Sequence, residues 1–215
     1  IELPADQIAL LEAVHGANPN TVVVLANGGV VSIEPWKDHA AAILEGWLLG
    51  QAGGSAIADL LFGITSPSGR LTETIPLRLQ DNPSYLHFPG SQQHVRYGEG
   101  LYVGYRYYDS ALREVAYPFG FGLSYTTFDI TDTSVEAGEN SAEVTVTVRN
   151  SGDRSGSTVV QVYVHDASAS IDRPAQELKG FAKVHLDPDE SATVTITLDS
   201  RAFAYWSVTE KDWAI

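Results

Sequence analysis

Hydrophobic positions near the start of the chain follow a helical spacing and then form an unbroken run. Ile8, Leu11 and Val14 recur on one helical face behind Pro4, a residue that the first turn of a helix tolerates. Residues 21–26 (TVVVLA) then form an apolar, β-branched run without alternation. Such a run predicts a strand buried on both faces, as in a parallel sheet covered by helices.

The same mixture of helix and strand continues to about residue 76. A short helix is expected over 36–41, a second apolar run covers 42–47, and a further helix over 55–62 ends at Gly63. These elements predict a partial α/β sandwich domain over residues 1–76, one edge of a layered α/β structure. Residues 77–126, rich in Pro, Gly, Tyr and Phe, predict an inter-domain loop segment.

Residues 127–215 change to the period of two that is typical of strands. Three valine-rich stretches alternate apolar with polar positions, around residues 144–148, 160–164 and 194–198. Imperfect alternation over 178–186 predicts a bulge near Gly180. About six strands can be counted where a fibronectin type III or immunoglobulin-like sandwich needs about seven, so we expect the last strand to be missing.

Composition narrows the functional classes. The 215 residues are 44 % hydrophobic and 19 % charged, as in folded globular proteins, and the formal net charge is −14. That charge repels phosphate backbones, so no nucleic-acid partner is expected. There is no cysteine, and no apolar run is long enough to span a membrane. The chain begins at Ile1 and has no methionine, so any export leader would lie upstream and the localisation stays undetermined.

Acidic and aromatic side chains supply candidate sites, each with a structural alternative. Glu2 is read as a solvated carboxylate at a helix start. Glu99 could contact a sugar hydroxyl group, but a structural carboxylate that hydrogen-bonds the domain-joining loop or pairs with Arg96 or Arg106 is favoured. A set of aromatic residues could form a sugar-stacking platform, although packing between layers is favoured; the set is Trp47, Tyr97, Tyr102, Tyr105, Tyr107 and Tyr108.

Other motifs support no cofactor and no metal. Gly50, Gly53 and Gly54 precede a helix but lack the spacing of a phosphate-binding loop, so tight packing is the better interpretation. The serines show no nucleophile elbow. The histidines have no metal-ligand spacing; they are His15, His39, His87, His94, His165 and His185.

Several ordered motifs resemble glycoside hydrolase family 3, the β-glucosidase type. The α/β part carries LPADQ (3–7), NPNTVVVL (18–25), GQAGGSAIADLLFG (50–63) and PSGRL (67–71). The loop segment carries RYGEGLYVGYRYYD (96–109) and PFGFGLSYT (118–126). The β part carries RPAQELKGF (173–181), similar to the fibronectin type III-like module of that family.

The resemblance implies a parent enzyme built from a TIM-like barrel, an α/β sandwich and a fibronectin-like module. Members hydrolyse terminal β-glycosidic bonds with retention, which needs a nucleophile and an acid/base about 5–5.5 Å apart. Both family motifs would lie upstream of Ile1, so no catalytic residue is carried onto this chain. The expected partners are a β-linked glucoside and the missing barrel domain, and we expect no activity from the chain alone. The alternative is a non-catalytic carbohydrate-binding or scaffolding module.

Overall fold

The chain forms two compact units, seen in a computed structural model that describes residues 2–215. The α/β unit contains the chain up to Asp59 together with Leu71–Phe121. The β unit contains Leu60–Arg70 together with Gly122–Ile215. The division of the sequence at residues 76 and 126 stays a prediction. No helix within residues 2–215 combines the length and apolar character that crossing a membrane requires.

Helices and strands alternate through the first part of the chain, although the helix expected over 36–41 is only a 3-10 turn. The elements are α1 (Ala5–Ala17), β1 (Val22–Leu25), β2 (Ala42–Glu45), α2 (Gly53–Leu61), β3 (Ile75–Pro76), α3 (Tyr105–Ser110) and β4 (Val115–Tyr117). Short 3-10 turns cover Lys37–His39 and Leu79–Asp81. Helix α1 begins directly after Pro4 and ends where the Asn18 N–H bonds to the Val14 carbonyl at 2.9 Å.

Strands β1 and β2 pair in parallel, which confirms the layered α/β class. The expected burial of β1 on both faces is wrong, because Val22 is 47 % exposed and only Leu25 is buried. Within residues 2–215 β2 is the sole strand paired with β1, so the other edge of β1 has no strand partner there. The core of the unit gathers around Trp36, whose indole N–H donates to the Ser32 carbonyl at 3.0 Å.

The segment expected to be mainly loop contains two short elements that its pattern does not reveal. Helix α3 follows Gly104, which has φ +59, and β4 pairs antiparallel with β3. Six helical residues and a three-residue strand are too short to produce a clear period of 3.6 or 2.

The β unit holds five long strands followed by a small hairpin. The elements are β5 (Phe128–Ala137), β6 (Ala142–Asn150), β7 (Gly156–Val164), β8 (Glu177–Leu186), β9 (Ser191–Leu198), α4 (Ser200–Phe203), β10 (Tyr205–Ser207) and β11 (Asp212–Ala214). They form a three-stranded antiparallel sheet in the order β5-β6-β9, a β7-β8 pair and a β10-β11 pair. A missing final strand stays a prediction.

Alternation in these strands places one apolar face in the core. Val144, Val146 and Val148 are buried on β6, and Val160 and Leu186 join them from β7 and β8. The predicted bulge is confirmed, since the partner of Val162 is Gly180 and the partner of Tyr163 is Leu178. That register leaves Lys179 without an opposite residue.

Candidate functional site

The carboxyl ends of β1 and β2 meet at one edge of the α/β unit. Leu25 is the register partner of Glu45, and the Gly46 N–H extends the pairing to the Leu25 carbonyl at 2.9 Å. Side chains that follow the two strands therefore lie close together. In open α/β sheets, ligands bind outside the carboxyl ends of parallel strands. We call Asn27, Glu45 and Trp47 the strand-end cluster.

Hydrogen bonds fix the carboxylate of the strand-end cluster. The Trp47 backbone N–H donates to Glu45 Oε1 at 2.9 Å. Asn27 Nδ2 lies 3.5 Å from Glu45 Oε2 and donates to the Gly29 carbonyl at 2.8 Å. The cluster thus orients one carboxylate at the point where both strands end.

Burial raises the pKa of the Glu45 carboxyl group above its usual value. The hydrogen bonds from Trp47 and Asn27 oppose this effect by favouring the charged form, and the nearby Glu73 carboxylate adds to it. Desolvation has the largest influence, so the surroundings disfavour the charged form of the Glu45 carboxyl group.

Trp47 adopts a backbone conformation that is rare for a bulky side chain, with φ +52. The residue before it is cramped, because a Cβ on Gly46 would lie 2.9 Å from the Leu25 carbonyl oxygen. A left-handed residue of this size costs about 1–3 kcal/mol and persists where the surroundings impose it. Such strain is concentrated at ligand-binding sites.

A cavity of about 680 Å³ lies on the α/β unit, and Glu73, whose carboxylate acts on Glu45, is part of its wall. Its wall includes Glu73, Glu99, Arg106 and the ring of Tyr105, which stacks on Phe119 with centroids 4.5 Å apart. Tyr108 lines the cavity and is buried, and that burial raises its pKa to about 12. The cavity combines carboxylates, a guanidinium and aromatic faces, the mixture that polar ligand sites use.

The acidic candidates have different surroundings. Glu2 is exposed, in agreement with a solvated carboxylate at a helix start. Glu99 is half-buried, and within residues 2–215 it forms no ion pair with Arg96 or Arg106. The ion-pair alternative for Glu99 is therefore wrong, and the residue lines the wall of the cavity.

The aromatic candidates do not form one platform. Tyr105 stacks on Phe119, and Tyr107 and Tyr108 pack edge to face at 5.3 Å, which supports the packing interpretation. Tyr97 is 90 % exposed, so packing fails for that residue. Tyr102 is half-buried.

Glycine and histidine candidates have mainly structural surroundings. A Cβ on Gly53 would lie 2.7 Å from the Leu49 Cβ, which supports tight packing there, whereas Gly50 and Gly54 have open space. No group of three potential metal ligands occurs within residues 2–215. His15 and His39 contact each other edge to face at 5.3 Å.

Sequence reasoning missed Asn27 and Glu45 as members of a site. The signal was present, because Asn27 directly follows the apolar run over 21–26, which was assigned to a strand, and Glu45 lies within the second apolar run, over 42–47. Because ligands bind outside the carboxyl ends of parallel strands in open α/β sheets, both positions could have been predicted as parts of a site.

Comparison with known proteins defines the family. The description "Glycosyl hydrolase family 3 C-terminal domain" matches residues 1–125, and "Fibronectin type III-like domain" matches residues 158–215. The chain therefore belongs to glycosyl hydrolase family 3, and the resemblance seen in the sequence is confirmed.

Relatives match this chain over its full length but over a minor part of their own. An exo-α-(1→6)-L-arabinopyranosidase of Bifidobacterium longum is 54 % identical over 100 % of this chain and 28 % of its own length. Thermostable β-glucosidase B of Acetivibrio thermocellus is 51 % identical over 100 % of this chain and 29 % of its own. The chain thus spans less than a third of these relatives.

Solved structures share the fold. The crystal structure of the family 3 β-glucosidase of Bifidobacterium adolescentis aligns with a TM-score of 0.94 and 55 % identity, over 99 % of this chain and 32 % of that one. The β-glucosidase of Kluyveromyces marxianus in complex with glucose aligns with a TM-score of 0.92 and 43 % identity, over 99 % and 26 %.

Proposed function

We propose that this chain is the C-terminal part of a retaining, exo-acting glycoside hydrolase that removes terminal β-linked sugars. The observation that carries the proposal is the match of residues 1–125 to a C-terminal domain of that family, combined with relatives that are over three times longer. One relative is named an exo-α-(1→6)-L-arabinopyranosidase and others are named β-glucosidases, and the β-glucosidases support a terminal β-glucoside as the substrate.

In this proposal the chain supplies structural support and the nucleophile and acid/base belong to another part of the enzyme. A retaining mechanism needs two carboxyl groups about 5–5.5 Å apart on opposite sides of the scissile bond. The hydrogen bonds of Glu45 hold it within the strand-end cluster, as a positioned side chain rather than a mobile acid. The reaction needs no metal or organic cofactor, since carboxyl groups perform both steps.

A chimera tests the structural role. The matching C-terminal third of the B. adolescentis β-glucosidase is replaced by residues 1–215, which share its fold at a TM-score of 0.94. We expect the chimera to hydrolyse an aryl β-glucoside and the same relative without its C-terminal third to be inactive. A folded chimera without turnover would contradict the proposal.

A second candidate function is carbohydrate binding by the β unit. Trp206 is 51 % exposed on β10, opposite Trp213 on β11, whereas Arg201 covers the ring of Trp213. This function predicts that sugars quench tryptophan fluorescence of the 215-residue chain and that Trp206→Ala abolishes the quenching. Unchanged fluorescence on sugar addition would exclude it.

A further inference from the structure

The cavity on the α/β unit carries two opposite charges that do not pair with each other. Arg106 and Glu99 are both half-buried, and both line its wall. Within residues 2–215, neither the Arg106 guanidinium nor the Glu99 carboxylate forms an ion pair or a side-chain hydrogen bond. A partly buried charge without a partner is costly, because it loses hydration and gains nothing in return. A ligand that carries both charges would satisfy the two groups together.

Two buried hydroxyl groups line the same cavity. Ser32 is 5 % exposed and Thr74 is 7 % exposed. Neither side-chain hydroxyl has a hydrogen-bond partner among residues 2–215, since the bond between Ser32 and Trp36 uses the backbone carbonyl of Ser32. Buried polar groups normally have such a partner. A hydroxyl group can donate to an anion or accept from a cation, so both groups can serve a charged ligand.

The charges of the wall select the class of ligand. A neutral ligand leaves Arg106 and Glu99 without counter-charges, and an amine or an acid alone satisfies only one of them. A phosphate dianion is repelled by Glu99, by Glu73 on the same wall and by the formal net charge of −14. A metal cation is repelled by Arg106, and no group of three metal ligands occurs in the part of the chain that the structure describes. A zwitterion matches both signs.

The remaining wall indicates the carbon skeleton of that zwitterion. The ring of Tyr105 stacks on Phe119 at a centroid distance of 4.5 Å, and Val30 and Val103 add apolar surface. The volume of about 680 Å³ is ample for a small molecule, since ligand sites span about 300–1,000 Å³. An apolar side chain attached to the charged groups would bury against this surface.

We propose that the cavity binds an α-amino acid with an apolar side chain, whose carboxylate pairs with Arg106 and whose ammonium group pairs with Glu99. A guanidinium suits a carboxylate because two of its N–H groups can donate in parallel. Ser32 and Thr74 complete the hydrogen bonds of the charged groups, and Glu73 adds negative charge that favours the ammonium group. The inference goes beyond the proposed function, which gives none of these residues a part in hydrolysis.

Isothermal titration of the whole 215-residue chain tests the proposal with L-leucine as the probe. Two analogues each lack one charge: 3-methylbutylamine has no carboxylate, and 4-methylpentanoate has no ammonium group. We expect leucine to bind at least about tenfold more tightly than either analogue, because each analogue leaves one charge of the wall unpaired. Equal binding of leucine and the analogues, or no binding of leucine, would overturn the inference without any variant.

Variants then assign the two charges. Arg106→Gln and Glu99→Gln should each weaken leucine binding about tenfold, since hydrogen bonds between charged groups are the stronger ones. Arg113→Gln and Glu114→Gln are the matched controls, because both are exposed residues of the same unit that do not line the cavity. Circular dichroism checks that all four variants are folded.

The controls should bind leucine like the unchanged chain. Unchanged leucine binding by folded Arg106→Gln or Glu99→Gln variants would contradict the assigned pairing. Turnover by the chimera is measured separately, so this inference and the proposed function fail independently.

Discussion

Arg70 donates a hydrogen bond from Nη2 to the Thr158 hydroxyl group at 2.8 Å, although 88 residues separate the two. Its other terminal nitrogen, Nη1, donates to the Gly122 carbonyl. The guanidinium thus joins the Leu60–Arg70 segment to strand β7 and to the start of Gly122–Ile215, all within the β unit. Burial lowers the pKa of Arg70, which agrees with a partly desolvated cation.

Replacing Arg70 by lysine should destabilise the β unit by about 1–2 kcal/mol, because one ammonium group cannot reproduce a two-nitrogen fork. Urea unfolding followed by circular dichroism measures the loss. Arg149→Lys is the control: its ion pair with Asp189 at 2.7 Å is exposed, so the change should stay below about 0.5 kcal/mol. Equal effects from both variants would refute a specific role for Arg70.

Asn150 is fully buried and satisfies its amide completely. Oδ1 accepts from Thr126 Oγ1 at 2.7 Å and from the Gly152 N–H at 3.1 Å, and Nδ2 donates to the Arg154 and Leu186 carbonyls. Asn150→Ala leaves several buried groups without partners, so we expect a loss of about 3 kcal/mol or more in the free energy of unfolding. Thr126→Val removes one of these bonds and should cost about 1 kcal/mol. If calorimetry ranks the two variants in the opposite order, the hydrogen bonds of Asn150 do not determine the free energy of unfolding in this way.

Two glycines at opposite ends of α2 should respond to alanine with opposite signs. Gly63 has φ +69, and its N–H bonds to the Leu60 carbonyl at 3.1 Å, so Gly63→Ala should lower stability by about 1 kcal/mol. Gly54 is helical and its missing Cβ would meet nothing within 4 Å, so Gly54→Ala should raise stability by up to about 1 kcal/mol. Thermal unfolding of both variants gives the comparison, and a shift of the melting temperature in the same direction would be incompatible with these conformations.

Alkaline pH should weaken the α/β unit through Tyr108. Burial first, and then the Asp81 carboxylate, raise its pKa from 10.0 to about 12. Between these values the unfolded chain loses the phenolic proton while the folded chain keeps it, so stability falls as pH rises from about 10 to about 12. Tyr108→Phe removes this group and should flatten the fall, measured by urea unfolding across that range. A steeper fall of stability with pH in the Tyr108→Phe variant would contradict a raised pKa of Tyr108.

The sequence predicts those features that repeat along the chain. The alternating valines of β6 and the bulge opposite Val162 follow from a period of two, and α1 follows from Pro4 and a period of three to four. Helix α3 and the β10-β11 hairpin are too short to carry a period. The Arg70–Thr158 contact could not be foreseen, because it depends on how distant segments pack.

The strand-end cluster could be predicted from the sequence only in part. Parallel strands could be predicted from the apolar runs, and the binding of ligands outside the carboxyl ends of such strands then indicates the positions of Asn27 and Glu45. The left-handed conformation of Trp47, and an Asn27 Oδ1 that has no hydrogen-bond partner among residues 2–215, depend on the exact path of the backbone. Neither feature can be predicted from the residue types in the sequence.

We propose that the carboxyl groups which cleave the glycosidic bond belong to a part of the protein outside residues 1–215. The most direct test of this proposal is the release of nitrophenol from p-nitrophenyl β-D-glucopyranoside by the purified 215-residue chain. We expect a rate equal to that of buffer alone. A higher rate that disappears in Glu45→Gln or Glu99→Gln would contradict it.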